Sequence, residues 1–205
     1  MLIHKVKIEG LALSRGDRLL FKGLDLELNA GRAVALRGRN GAGKTSLLRA
    51  IAGMIRPLEG QVSFEGVGGV LEADEARSLG LHLMGHHDGL KPGRLAADEF
   101  AFQARWCGGD DGGIVRARAA LDLDRIADLE VRKLSAGQRR RLALGRLVAA
   151  PRSLWLLDEP FAPLDAEHRA RFGGLMQQHL DAGGLILAAV HDPLPIDADS
   201  VEIAQ

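Results

Sequence analysis

The chain has 205 residues, of which 46% are hydrophobic and 26% are charged, as in an ordinary globular protein. Lys and Arg together number 27, as do Asp and Glu, so the charge balance gives no reason to expect a nucleic acid or an anionic membrane surface as partner. The one cysteine, Cys107, excludes an internal disulfide, and we find no apolar run near the roughly 20 residues that span a bilayer. We therefore expect a cytosolic chain that reaches a membrane only through a partner.

Short apolar runs alternate with helix-length amphipathic segments, a pattern typical of an α/β domain with a largely parallel sheet. In chain order we predict short strands within 2–28 around a turn at Gly16-Asp17, a strand at 33–36, a helix at 44–52, strands at 61–64 and 79–84, helices at 95–106, 115–121 and 135–149, a strand at 153–157, a helix at 166–180 and a strand at 185–190. A loop is predicted at 108–113. Because strands are missing between about 94 and 150, we predict a helical insertion in one α/β core.

A glycine-rich loop follows the predicted strand at 33–36. Its sequence, Gly38-Arg39-Asn40-Gly41-Ala42-Gly43-Lys44-Thr45, fits the phosphate-loop pattern Gly-x4-Gly-Lys-Thr in full. Gly41 and Gly43 let the backbone curl so that its amides point at phosphate oxygens, and the N-terminus of the next helix adds its dipole. Lys44 supplies charge to the β and γ phosphates, and Thr45 offers a hydroxyl to Mg²⁺. The alternative is a glycine-rich turn that only reverses the chain.

An apolar run ends in two carboxylates: Leu154-Trp155-Leu156-Leu157-Asp158-Glu159. Asp158 can hold Mg²⁺ through water, because this ion keeps much of its hydration shell. Glu159, just beyond the predicted strand, is placed to polarise a water in line with the γ-phosphate. The alternative is a solvated acidic strand end, but the phosphate loop in the same chain favours the catalytic interpretation.

The run Leu134-Ser135-Ala136-Gly137-Gln138 begins a predicted helix. Ser135 is suited to cap that helix, and the free N–H groups of the same turn form an anion site. The basic residues that follow, 139–141, we interpret as a solvated or interface face rather than a nucleic-acid patch, because they are isolated in a neutral chain. His191 ends the last predicted strand, where a histidine is commonly structural.

Together, the phosphate loop, the Leu-Ser-x-Gly-Gln run and the strand ending in Asp-Glu-Pro resemble the ATP-binding-cassette (ABC) ATPases over nearly the whole chain. The resemblance implies one ABC ATPase domain, 1–205, with a P-loop NTPase fold that combines a RecA-like core, a small antiparallel β subdomain and a helical insertion at about 94–150. It implies ATP and Mg²⁺ as cofactors, with ATP bound by residues 38–45 and by Ser46.

The same resemblance implies further roles. Two copies form a head-to-tail dimer in which residues 134–138, the signature run, face the γ-phosphate bound to the second subunit. His191 matches the switch histidine, which orients the attacking water beside the catalytic residues Lys44 and Glu159. Asp165 matches the D-loop aspartate at the dimer interface, although its ordinary role is to cap the next helix.

Two positions depart from the ABC pattern. His86 stands where the family's lid-loop glutamine is expected, and histidine replaces it only in the right tautomer or when neutral. A metal site at His86-His87-Asp88 is the rival interpretation, but adjacent strand residues face opposite ways. The best match to the aromatic residue that stacks on adenine is Arg15, since the chain has no Tyr. A guanidinium plane can stack on a base, which implies weak base selectivity.

Several short runs are similar to one ABC family, the ATP-binding subunits of cytochrome c maturation transporters, or haem exporters. These runs are Leu28-Asn29-Ala30-Gly31, Thr45-Ser46-Leu47-Leu48-Arg49, Gly85-His86 and Leu134-Ser135-Ala136-Gly137-Gln138-Arg139-Arg140. The similarity implies a peripheral chain on the cytoplasmic face of a bacterial inner membrane, multispanning membrane subunits as partners, no nucleic acid, and a role in haem export or in release of haem from a periplasmic chaperone.

We weigh three alternatives, of which the first stays open. Another ABC exporter or importer with a different substrate would share the whole nucleotide site. A soluble ABC protein that acts on DNA or ribosomes would usually carry paired cassettes or long coiled-coil insertions. A regulatory cassette that does not hydrolyse ATP would be expected to lose Glu159, His191 or the signature run, all of which are present.

Overall fold

The computed structural model describes residues 2–203, and its strands form two sheets of different kinds. The strands are β1 (Lys5–Arg15), β2 (Arg18–Asn29), β3 (Ala33–Arg37), β4 (Glu59–Gly66), β5 (Gly69–Leu71), β6 (Leu81–Met84), β7 (Leu154–Asp158), β8 (Leu185–Ala189) and β9 (Asp199–Glu202). The helices are α1 (Lys44–Ile51), α2 (Ala73–Gly80), α3 (Ala96–Trp106), α4 (Asp111–Ala120), α5 (Ala136–Ala149) and α6 (Ala166–Asp181), with short 3-10 turns at Asp124–Ile126 and Val131–Lys133.

The first sheet is parallel, with the strand order β6-β7-β8-β3-β9. Its central strands β7 and β8 are buried along their whole length, which explains why their sequences are almost continuously apolar. Because parallel strands end at the same edge, the residues that follow β3, β7 and β8 come together there. These residues are the phosphate loop, Glu159 and His191.

The second sheet is antiparallel, with the order β2-β1-β4-β5. The predicted turn at Gly16-Asp17 joins β1 to β2, and Gly16 adopts a left-handed backbone with φ 59°. Phe21 and Phe64 of this sheet belong to the same hydrophobic core as Leu36 and Leu187 of the parallel sheet. The predicted α/β class, with a parallel core and a small antiparallel part, is confirmed.

The chain forms two compact units. The first contains the residues up to Gly85, Arg152–Glu159 and those from Met176 onward, and it therefore holds both sheets with α1 and α2. The second contains His86–Pro151 and Pro160–Leu175, and it is helical. It includes the predicted helical segment 94–150 together with residues on either side of it.

Two predicted element boundaries were wrong, and three elements were missed. The strand expected at 79–84 begins only at Leu81, because helix α2 extends to Gly80. Helix α4 begins at Asp111, inside the predicted loop 108–113, because the Asp110 carboxylate caps it by accepting a hydrogen bond of 2.6 Å from Gly113 N. The missed elements are helix α2 and two strands. β5 has only three residues, and β9 is mostly exposed and polar, although it pairs with β3.

Candidate nucleotide-binding and hydrolysis site

The phosphate loop connects β3 to α1 through three glycines with positive φ. At Gly38 (φ 132°) a Cβ atom would lie 2.7 Å from the carbonyl oxygen of Ile203, so any larger residue would displace the backbone. At Gly43 (φ 110°), which precedes the first residue of α1, a Cβ would lie 3.0 Å from the Phe21 ring. The loop is thus held from two sides in a curl that places its amides at the start of a helix.

Lys44 is the first residue of α1, and only 8% of it is exposed. Its ammonium donates hydrogen bonds to the carbonyl oxygens of Gly38, at 2.6 Å, and Arg39, at 3.4 Å. Arg39, Asn40 and Gly41 at the tip of the loop are exposed. A buried ammonium beside exposed backbone amides is a site for an anion that approaches from solvent.

Thr45 and Asp158 meet below the loop, although 113 positions separate them in sequence. The Thr45 hydroxyl donates a hydrogen bond of 2.9 Å to Asp158 Oδ2, and Asp158 is 5% exposed at the end of β7. A hydroxyl and a carboxylate side by side are hard oxygen donors, the type that Mg²⁺ prefers. The donor set therefore fits the ion that the sequence predicts at these two residues.

Glu159 has a left-handed backbone, with φ 49°, which is uncommon for a residue that is not glycine. Its amide donates a hydrogen bond of 2.9 Å to the carbonyl oxygen of Ala189 at the end of the adjacent strand β8. This bond helps hold the residue in a conformation that costs of order 1–3 kcal/mol, and strain of this kind concentrates at functional sites.

The Glu159 carboxylate lies 3.6 Å from Nε2 of His191, measured from Oε1. Burial raises the pKa of Glu159, and the neighbouring charges of Asp158 and Asp192 raise it further, while His191 and Lys44 lower it. The His191 side chain is 54% exposed and that of Glu159 is 25% exposed. A half-buried carboxylate with an increased proton affinity next to an accessible imidazole suits general-base chemistry.

The signature run begins α5 in the second unit. Ser135 Oγ accepts a hydrogen bond of 3.2 Å from Gln138 N, while Gln138 Oε1 accepts one of 2.8 Å from Ser135 N. This capping box fixes the first turn of α5 and leaves Ser135 exposed. Leu134, just before it, is buried. The predicted cap is confirmed, and it presents the serine at a helix N-terminus.

Asp165 comes close to the signature run within the same unit. The two segments line a shallow cavity of about 480 Å³, formed by residues 135–138, Arg141, 163–165 and His168. Gly137 permits the contact, because a Cβ there would lie 2.8 Å from the Pro163 carbonyl oxygen. Asp165 Oδ1 accepts a hydrogen bond of 2.9 Å from His168 N, so it does cap α6, and its hydrogen bonds to His168 lower its pKa.

Two residues of the basic run, which the sequence predicted to form a solvated or interface face, are not solvated. Arg140 and Arg141 are 3% and 8% exposed. Arg141 donates hydrogen bonds of 3.0 Å to the carbonyl oxygens of Leu121 and Asp122, and thereby binds α5 to the segment after α4. Charge alone gave no sign of this, because the buried acceptors are backbone atoms distant in sequence.

The two departures from the ABC pattern lie at exposed positions. Arg15 is the last residue of β1, opposite Arg18 across the turn, and the next residues of β2 contact the phosphate loop through Phe21. His86 is exposed, and its ring centroid is 5.5 Å from that of His87. Within residues 2–203, no group of three His, Cys, Asp or Glu side chains is arranged to hold a metal ion.

Sequence reasoning missed two residues that shape the site. Phe21 supports Gly43, and Ala189 fixes the backbone of Glu159. Both are ordinary apolar residues of strands, so no motif marks them. The structure brings together the predicted residues of the first unit, namely Lys44, Thr45, Asp158, Glu159 and His191, and separately those of the signature run and Asp165 in the second.

The sequence profile of the ABC transporter family matches residues 21–162. The chain belongs to the ABC transporter family. Among curated ABC proteins it is 45% identical over 194 residues to the cytochrome c biogenesis ATP-binding export protein CcmA of Rhodopseudomonas palustris strain HaA2, with 95% of each chain covered. It is 46% identical over 189 residues to the protein of that name from Bradyrhizobium diazoefficiens, with 92% of each covered. The predicted family resemblance is therefore confirmed, and the chain is an ABC-type ATPase.

Solved ABC structures show the same fold. An ABC transporter ATP-binding protein from Pyrococcus furiosus superposes with a TM-score of 0.81 at 19% identity over 97% of each chain. A bacterial Atm1-family ABC exporter with ATP bound gives a TM-score of 0.83 at 20% identity, over 98% of this chain and 37% of the exporter. Among residues 2–203, the helices are all too short or too polar to cross a membrane.

Proposed function

We propose that this chain is the ATP-hydrolysing subunit of a bacterial inner-membrane ABC complex that serves c-type cytochrome biogenesis, through haem export or release of haem from its chaperone. The observation that carries the hydrolytic part is the convergence of Thr45, Asp158, Glu159 and His191 at one edge of the parallel sheet. The cytochrome part rests on the relatives, which are about 45% identical and carry cytochrome c biogenesis in their names.

Phosphate binding is assigned to residues 38–46. The Lys44 ammonium donates hydrogen bonds to two carbonyl oxygens of the loop. When ATP binds, it donates instead to the β and γ phosphates, which are stronger acceptors because they are charged. The curled backbone presents its amides to the same oxygens, and both effects act on charge that develops during phosphoryl transfer. Arg15 is assigned to the base, where its guanidinium offers a flat face.

Thr45 and Asp158 would hold Mg²⁺ with their adjacent hydroxyl and carboxylate oxygens. The ion, when bound, would supply positive charge that offsets the negative charge of the phosphates. Asp158 is buried at the end of a central strand, so its carboxylate is held in place with little freedom to move.

Glu159 accepts the proton of the attacking water, or polarises it, and His191 orients the same water toward the γ-phosphate. The raised pKa of Glu159 supports this role, because a base with greater proton affinity draws more strongly on the water proton. His191 lies close enough to influence the carboxylate while its ring stays accessible.

The signature run completes the site of a second copy in a head-to-tail dimer. Ser135 stands exposed at the first turn of α5, with free N–H groups and the positive end of the helix dipole beside it. Asp165 lines the same shallow cavity, and we assign it to the dimer contact. Closure over two ATP molecules and reopening after hydrolysis would move the membrane subunits.

The membrane subunits need a surface to contact, and helix α3 carries one. Phe102 and Trp106 stack with their centroids 6.2 Å apart, and they are 44% and 82% exposed. They line a cavity of about 490 Å³ with Asp98, Ala101 and Arg105. We assign this surface, together with His86 nearby in sequence, to the contact with a cytoplasmic segment of the membrane subunits, since exposed aromatic clusters mark interaction sites.

The test of hydrolysis is the Glu159→Gln variant, which keeps the shape of the side chain and removes the base. We expect ATP affinity within about twofold of the wild type, while turnover falls at least about a hundredfold. Glu167→Gln is the matched control, because Glu167 only forms an exposed ion pair of 3.0 Å with Arg171. Near-normal hydrolysis by the Glu159 variant would overturn its assignment.

A further inference from the structure

A buried arginine in the signature helix reaches residues 86–91, which we call the lid segment. Arg140 of α5 is 3% exposed. Its Nη1 atom lies 3.2 Å from Asp88 Oδ1, and its Nη2 atom donates a hydrogen bond of 3.3 Å to the carbonyl oxygen of His86. One guanidinium therefore contacts the lid segment at two points. Its residue, Arg140, follows Gln138 of the capping box by only two positions.

Burial makes this ion pair costly to separate. Removing a guanidinium from water is costly unless it is paired, and breaking a buried pair leaves an uncompensated charge. Asp88 has a side chain that is 20% exposed, so it too is mostly withdrawn from solvent. The lid segment can therefore leave α5 only at a substantial free-energy cost.

A second buried group attaches the other end of the lid segment. Glu99 of α3, 1% exposed, accepts hydrogen bonds from Lys91 N at 3.2 Å and from Gln103 Nε2 at 2.8 Å. Gln103 Nε2 also donates a hydrogen bond of 2.9 Å to the Gly89 carbonyl oxygen. The Oε1 atom of Gln103 accepts a hydrogen bond of 3.2 Å from Arg146 of α5. The lid segment is thus attached to α5 directly and to α3 through a chain of hydrogen bonds that returns to α5.

We infer that the Arg140–Asp88 pair is a positioning device that makes the lid segment and the first turn of the signature helix move as one body. A force applied to the lid segment or to α3 then displaces Ser135 rather than being absorbed by a flexible loop. The inference rests on the proposed function for its consequence, because a partner must supply the force. Its structural core concerns only residues of the second unit.

Amide hydrogen exchange tests the structural core on the full chain. The amide of Lys91 reports on the lid segment. The amide of Arg139 reports on the first turn of α5, because it donates a hydrogen bond of 2.9 Å to the Ser135 carbonyl oxygen. In Asp88→Ala both amides should exchange at least about tenfold faster, since local opening becomes easier. Asp88→Glu, which keeps the carboxylate, should restore both rates to within about threefold.

The matched control is Asp124→Ala. Asp124 pairs with Arg118 at 2.6 Å in the same unit, but both side chains are well exposed. That variant should leave the exchange rates of both amides within about twofold of the wild type, because exposed ion pairs contribute little to stability. Acceleration of Lys91 alone in Asp88→Ala, or of neither amide, would overturn the inference, because the two elements would then not be joined.

A second measurement uses the chain purified with its membrane subunits. In Asp88→Ala the increase in ATPase rate that those subunits cause should fall at least about threefold, while direct ATP binding stays within about twofold. An unchanged increase would overturn the coupling role. If no membrane subunit stimulates the wild type, the proposed function fails, and the exchange experiment still decides the inference.

Discussion

A stacked histidine in the first unit predicts how the stability of this protein depends on pH. His179, near the end of α6, is 7% exposed, and its ring lies 4.0 Å from that of Trp155 with an interplanar angle of 7°. Its Nε2 is 3.4 Å from the carbonyl oxygen of Leu185. Burial lowers the pKa of His179 from 6.5 to about 4.

Because the folded protein disfavours the charged imidazole, the unfolded chain binds more protons between pH 6.5 and about 4. The free energy of unfolding therefore falls as the pH falls through this window, and above it the residue has no effect. From the two pKa values, the loss is about 2 kcal/mol at pH 5 and about 3 kcal/mol below pH 4.

Urea denaturation at a series of pH values measures this loss. His179→Phe keeps an aromatic ring against Trp155 and cannot take up a proton, so its stability should fall about 2 kcal/mol less than that of the wild type between pH 7.5 and pH 5. His87→Gln is the matched control, since His87 is exposed, and it should follow the wild type. Parallel pH profiles for the wild type and His179→Phe would refute the reasoning.

Three further results are expected. ATPase activity should decline on acidification with a midpoint above pH 4.5, the ordinary value of a glutamate carboxyl, because burial raises the pKa of Glu159. A pH–rate profile whose activity does not decline above pH 4.5 would contradict the assignment of Glu159. Gly137→Ala should reduce turnover at least about tenfold, since its Cβ would meet the Pro163 carbonyl oxygen at 2.8 Å, whereas Gly174→Ala, with nothing within 4 Å, should keep activity and gain about 0.5–1 kcal/mol in urea denaturation. His86→Gln should spare ATPase activity more than cytochrome c maturation in cells, and equal loss of both would argue against a coupling role for His86.

The chemistry of the first unit was predictable because its residues are local to strand ends. Asp158 and Glu159 end an apolar run, the phosphate loop follows another, and parallel strands end at the same edge. The phosphate-loop pattern and the run ending in Asp-Glu assigned Thr45 and Asp158 to the same ion, and the structure places the two side chains 2.9 Å apart across 113 positions. The assignment of His191 came from the ABC resemblance, and its Nε2 lies 3.6 Å from Glu159 Oε1.

What the sequence did not reveal depends on contacts with the backbone. Arg140 and Arg141 were interpreted as part of a solvated or interface face, yet both are buried and their partners are a carboxylate and carbonyl oxygens from distant loops. The left-handed conformation of Glu159 is held by a hydrogen bond to the Ala189 carbonyl oxygen. Every residue has such a backbone oxygen, so the sequence does not indicate this contact. β9 is a polar edge strand, and such strands lack the apolar alternation on which prediction relies.

The central claim is that this chain energises a membrane complex of c-type cytochrome biogenesis. The most direct test is affinity purification of the tagged Glu159→Gln chain from its native membranes in mild detergent, with mass spectrometry of the proteins that accompany it. We expect the tagged chain to recover cytochrome c maturation membrane proteins. Recovery of an unrelated permease would contradict the haem assignment, and the lack of any membrane partner would contradict the transporter role.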